Sequence, residues 1–145
     1  MDEIKEQIVK YISKRKFLTL ATSTKEGEPL THPIAYVNKG DIVYFSTGKQ
    51  TRKYKNIQKN PNVAYSIYEP TEYLEEVISV QMEGKATAVT DNKQIDEVNR
   101  MLKQKFPTMA DLIKDPEGII IKISPKTCYF IDYTKGFGYR DKIEY

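Results

Sequence analysis

The stretch "FSTGKQTRKYKNIQKNP", Phe45 to Pro61, carries the residues best placed to do chemistry. A helix starts at Thr51, a good N-cap, and Arg52 and Lys53 take its first two positions. A helix N-terminus carries partial positive charge and unpaired N–H groups, so each cation there meets a repulsion of about 0.3–1 kcal/mol. A bound anion reverses that sign. The free N–H groups, the Thr51 hydroxyl and both cations would converge on it, as they do at phosphate sites. Ser46 and Thr47, at the end of the preceding strand, add hydroxyls, and Gly48 lets the loop approach a ligand closely. The alternative for the same charges, with Lys49, Lys55 and Lys59, is a solvated basic face.

Other chemistry has few residues to use. The chain holds one histidine, His32, and one cysteine, Cys128. A metal site would need carboxylates alone, and none are spaced for it. Nucleophilic hydrolysis would need His32 as base, with no G-x-S-x-G motif near it. Cys128 reads as a small core residue. Paired carboxylates such as Glu75–Glu76 read as solvated. With a single cysteine no intrachain disulfide forms, and a reducing, cytoplasmic setting is expected. The N-terminus "MDEIKEQIVKYISKRK" lacks the basic start and apolar run of a signal peptide, and no apolar stretch is long enough to cross a bilayer.

The chain has 145 residues, 23 of them basic and 20 acidic. That near balance is weak support for nucleic-acid binding. Eleven tyrosines and five phenylalanines argue against disorder. One domain over residues 1–145 is expected, with no repeat and no Gly/Ser linker.

The elements that must position the site follow from periodicity. Ile4, Ile8 and Ile12 predict an amphipathic helix from residue 2 to about 15. Strands are predicted at 17–23, 30–37 and 42–47, with Pro33 marking an edge or a bulge. The short helix after Thr51 ends at Asn60–Pro61. A strand follows at 62–69, then a long one at 77–90 with Ile78, Val80, Met82, Gly84, Ala86 and Ala88 on one face. Gly84 signals a bulge or the close approach of another backbone. A helix is capped by Asp91, a final strand pair runs 118–125 and 126–134, and the tail "KGFGYRDKIEY" reads as loop. Short turns join most strands, so the sheet is expected to be antiparallel. The fold class is mainly β (α+β): six or seven strands in a closed or half-closed barrel with helices outside.

The order of "EGEPLTHPIAYV", "IVYFSTGKQTRKYKNIQKNPNVAYSIY" and "VISVQMEGKATAV" resembles the pyridoxamine 5′-phosphate oxidase-like, FMN-binding split-barrel family. The resemblance covers Phe17 to Val89 and extends to the last strand pair. It implies Arg52 and Lys53 as ligands of the FMN phosphate, and Ser46 and Thr47 as hydroxyls near the ribityl phosphate and ring. It places His32, Pro33, Ile34 and Ala35 along the isoalloxazine edge, chiefly through backbone groups. His32 stands where the oxidases have an arginine, and Ser79 where they have a flavin-contacting glutamine that Gln81 could replace. Val37 stands where they have a lysine that touches vitamin substrate, which argues against true pyridoxamine-phosphate oxidase activity. The small general-stress-protein branch is the better match. Its tails resemble "KGFGYRD", which implies a flap carrying Tyr139 and Arg140 over the ring; an exposed terminus is the alternative. The family implies a homodimer with flavin sites at the interface, and a flavin-dependent oxidoreductase acting on a small molecule. Neither nucleic acid nor membrane is expected as a partner. The competing readings are a split barrel that binds deazaflavin F420 or haem, and a non-catalytic oligonucleotide-binding barrel.

Overall fold

The computed structural model of the chain describes residues 2–109 and 118–145. Its elements are α1 (Asp2–Ser13), β1 (Phe17–Ser23), β2 (Pro29–Ala35), β3 (Val37–Lys39), β4 (Ile42–Thr47), α2 (Arg52–Lys59), β5 (Asn62–Tyr68), β6 (Ile78–Ala88), α3 (Asn92–Lys105), β7 (Ile119–Asp132) and β8 (Arg140–Glu144). All eight strands belong to one antiparallel sheet, ordered β2-β1-β5-β6-β7-β4-β3, with β8 also on β7. The sheet curls as a half-barrel around the larger core.

That core comes from period-two alternation. Leu18, Leu20, Val63, Tyr65, Ile67, Val80, Met82 and Cys128 all face the inside. α1 closes it with Ile8 and Ile12, both fully buried. Burying each such side chain contributes roughly 1.5–3 kcal/mol. A smaller cluster of Val37, Tyr44 and Ile120 on the outer side is covered by Val98 and Leu102 of α3. Asp91 caps α3, accepting from the Gln94 N–H at 3.3 Å.

Three expectations are corrected. Residues 30–37 do not run as one strand. Fully buried Tyr36 interrupts them, its N–H donating to the Lys16 carbonyl and its hydroxyl to that of Ile12. The predicted final pair is one continuous strand, β7. Pro125 sits inside it beside a register shift where Glu83 faces Thr127 and Gly84 faces Pro125, leaving Lys126 unpaired as a bulge. A bulge is where a strand interior accepts proline. The tail is not all loop, because Arg140–Glu144 pairs with Thr127–Ile131 and buries Ile143.

Two other readings agree with the structure. β2 pairs with β1 alone, so Pro33 lies on an edge strand. A Cβ added to Gly84 would lie 2.4 Å from the Ser124 carbonyl oxygen, so this glycine answers a close backbone approach. Among the described residues no helix is long and apolar enough to cross a membrane.

Candidate functional site

The start of α2 is built from β4 and the loop behind it. Thr51 is extended at φ −74° and ψ 149°, and its hydroxyl accepts from the Tyr54 N–H at 3.3 Å. The same hydroxyl donates to the Gly48 carbonyl at 2.9 Å. Its one hydrogen is then used, so in the 2.9 Å Thr47–Thr51 contact Thr47 donates. Asn56 ties the helix to β1, donating to the buried Thr22 hydroxyl at 3.0 Å. This clamp gave no signal in the sequence beyond a polar residue on each element.

The first turn of α2 contains no acid. Arg52 faces solvent, but Lys53 is only 8 % exposed. Among the described residues the ion pairs join Arg15 to Glu69, Lys39 to Glu97 and Lys142 to Glu144, and none reaches Lys53. Burial pushes the Lys53 ammonium below the ordinary lysine range. It also pushes the exposed His32 imidazole down, and the Lys53 charge pushes it further. A cation without a counter-ion in a dry place is unfavourable. Here it lies at the positive end of a helix, next to the free N–H groups of the first turn. An anion with several oxygens satisfies all of these at once, so the residues present fit a phosphate monoester.

The other expected site residues divide between the two faces of the sheet. His32 is opposite Leu20, and Ile34 is opposite Leu18, so both point to the inner side. Pro33 and Ala35 point outward. The open edge of β2 also leaves alternate backbone N–H and C=O groups free for a ligand. Thr47 follows Val43 and Phe45 on the inner side, while Ser46 follows Tyr44 toward α3. Ser79 and Gln81 are outward on β6. Ser79 is buried between Tyr68 and Ile131, and exposed Gln81 lies between Ser66 and Tyr129. Arg140 is also outward, its guanidinium 4.9 Å from the Tyr129 ring centre. Tyr139 precedes it at the end of the turn, its carbonyl accepting from the Asp132 N–H at 3.1 Å. Arg140 is thus held in a strand, and only the turn before it remains for a flap.

The structure therefore brings Thr47, Thr51 and Lys53 together at the start of α2, leaves His32 on β2 within the field of the Lys53 charge, and sets Ser79, Gln81 and Arg140 on the other face of the sheet. Gln81 and Arg140 border a shallow groove of about 410 Å³ floored by Thr19, Ala21, Ala64 and Ser66, and Ser79 lies outside it. Such small residues, two on β1 and two on β5 and all on one face, are the signal by which the groove could have been read from the sequence. Val37 is buried beneath α3, away from the start of α2 and the outer groove. Burial pushes the Cys128 thiol up to about 12, which fits a core residue rather than a nucleophile. Among the described residues no cluster of His, Cys, Asp and Glu could hold a metal ion.

Known proteins resemble this arrangement. The family model for pyridoxamine 5′-phosphate oxidase matches residues 4–132. General stress protein 26 of Bacillus subtilis (strain 168) is 27 % identical over 124 residues, which are 86 % of this chain and 85 % of that protein. Campylobacter jejuni ChuZ superimposes with a TM-score of 0.83 at 16 % identity; 99 % of this chain is covered, but it spans only 60 % of ChuZ. HutZ, the haem storage protein of Vibrio cholerae, superimposes with a TM-score of 0.72 at 19 % identity, over 83 % of this chain and 89 % of HutZ. At these identities the two superpositions show the fold.

Proposed function

The chain belongs to the pyridoxamine 5′-phosphate oxidase family, and from that premise we propose that it is an FMN-binding flavoprotein, a homodimer that oxidises or reduces a small molecule. One observation carries the reading: the buried Lys53 at the start of α2, which no described carboxylate pairs, next to the hydrogen-bonded Thr47–Thr51 hydroxyls. Lys53 and the first-turn N–H groups would hold the phosphate, with Arg52 neutralising it from the solvent side. Thr51, its hydroxyl already engaged, would keep the helix start in shape. The open edge of β2 from His32 to Ala35 would offer backbone groups to the ring. Bound FMN supplies reversible electron or hydride transfer. The outer groove, with Gln81 and Arg140, would complete the site when a second copy packs on it. The substrate pocket would then lie between the two chains.

The test is the absorption spectrum of purified protein, before and after adding FMN and desalting. Retained flavin bands, with one FMN per chain, are the expected result. A colourless protein that retains no FMN overturns the proposal. In that case F420 and haem are titrated next, since an anionic cofactor of either kind would find the same lysine. Haem has one further support in the histidine at position 32, which is kept neutral and therefore able to ligate iron.

A further inference from the structure

A second lysine, away from α2, is half-buried. Lys105 ends α3, and its Nζ lies 4.1 Å from the centre of the Tyr36 ring. Tyr36 is anchored through its own N–H to the Lys16 carbonyl at 3.3 Å, which brings Lys16 to the same spot. The ring face and the helix C-terminus both attract a cation. Burial and then the Lys16 charge outweigh them and lower the Lys105 pKa to about 8. No described carboxylate pairs with it.

Lys105 borders a cleft of about 310 Å³ lined by Ser13, Val37, Asn38, Met101 and Gln104. The Asn38 amide donates to the Ser13 hydroxyl at 3.0 Å and to the Gly40 carbonyl at 2.8 Å, so it offers the cleft an oxygen only. The Gln104 amide has no partner among the described hydrogen bonds and is exposed at the rim. The cleft thus combines an amine, an amide donor and an apolar wall of Val37 and Met101, and Lys16, outside the lining, adds a second positive charge near the amine.

We propose that Lys105 is a covalent capture site for a small carbonyl compound that carries a carboxylate, such as an α-oxo acid or an aldehyde acid. The free amine adds to the carbonyl carbon, the carbonyl oxygen leaves as water, and an imine C=N bond forms. No oxidant or reductant takes part. Lys16 pairs with the carboxylate, and Gln104 donates to it or to the departing oxygen. The site shares no residue with the proposed flavin site, so either can fail without the other.

Glyoxylate is the probe, with sodium cyanoborohydride to deliver hydride to the imine carbon and fix the adduct as a secondary amine. Peptide mapping after brief labelling at pH 7 locates it. Lys105 holds on the order of a hundredfold more free amine there than an ordinary lysine. Its lower basicity returns part of that advantage, leaving a rate about tenfold above any exposed lysine. Lys105→Arg, which keeps the cation and the helix, should remove the fast label while circular dichroism stays unchanged. Lys16→Gln should slow labelling by glyoxylate more than labelling by acetaldehyde, which has no carboxylate. Label spread over the lysines according to exposure overturns the proposal, as does a Lys105→Arg pattern equal to wild type. Equal slowing of both probes in Lys16→Gln overturns the carboxylate preference.

Discussion

Replacing Lys53 by methionine is the sharpest test of the phosphate site. The substitution keeps the length of a side chain that is only 8 % exposed and removes its charge. A hydrogen bond to a charged group contributes about 1.5–3 kcal/mol, or roughly 10- to 150-fold in Kd. The dry surroundings favour the upper half of that range, so a rise of about fiftyfold is expected. The apo protein should not suffer, because the lost group is an uncompensated buried cation. Its folded pKa lies below the usual lysine value, so in the window between that lowered value and 10.5 the unfolded chain binds more protons. Wild-type apo stability therefore rises with pH through this window, and Lys53→Met should flatten that slope. Fluorescence titration gives Kd, and thermal denaturation with FMN gives a second readout. At FMN a hundredfold above the wild-type Kd, binding stabilises wild type by about 2.7 kcal/mol and the variant by only about 0.6 kcal/mol. A Kd within threefold of wild type refutes the reasoning, because the phosphate then sits elsewhere. A variant whose apo form is clearly destabilised refutes it too, because Lys53 would then be a structural residue.

His32 gives an independent readout, since the chain has a single histidine and its ring signals in an NMR titration are unambiguous. The imidazole should titrate below 6.5 in the apo protein and move up both on FMN binding and in Lys53→Met; a pKa unmoved by either change refutes the Lys53–FMN assignment. Gly84→Ala forces a methyl against the Ser124 carbonyl in the longest strand pair, and urea denaturation should show a loss of about 2–3 kcal/mol. An unchanged midpoint would mean the two strands can part at no cost. Mixing Lys53→Met with Arg140→Ala chains tests the two-copy site: mixed dimers should regain one FMN site of wild-type affinity, and no recovery would mean that one chain supplies both residues.

Much of the fold was legible because alternation and breakers agreed. β1 falls where apolar and polar residues alternate and β4 where a short apolar run lies between turn signals, and Gly84 marked a backbone contact that is there. The failures have physical causes. In Arg140–Glu144 only Ile143 is apolar, so β8 owes its strand to pairing with β7 rather than to pattern. Pro125 resembles a strand end until the bulge at Lys126 supplies a place that needs no N–H. At α2 the cations in the first turn were visible in the sequence, because they oppose the helix dipole. Which of them is buried was not, because Arg52 and Lys53 have the same charge and differ only in which way a turn of helix points them.

That difference of direction organises the whole site. Adjacent residues on a strand point to opposite faces, so Ser46 and Thr47 separate, as do His32 and Pro33. The inward set, Thr47, Thr51, Lys53 and His32, gathers where an anion is needed. The outward set lies on the other face, where Gln81 and Arg140 line a groove whose floor is small-sided, with Ala21 and Ala64 opposite each other. The sheet itself stands between the two sets. A flat ring on a phosphate tail cannot pass through a hydrogen-bonded sheet, so one chain cannot close both sets on one ligand. If both sets serve the same ligand, the outward set must come from a second copy laid against the groove. The smooth floor would admit the other sheet closely, and Arg140, fixed on Tyr129, would then project to the partner's ligand rather than its own.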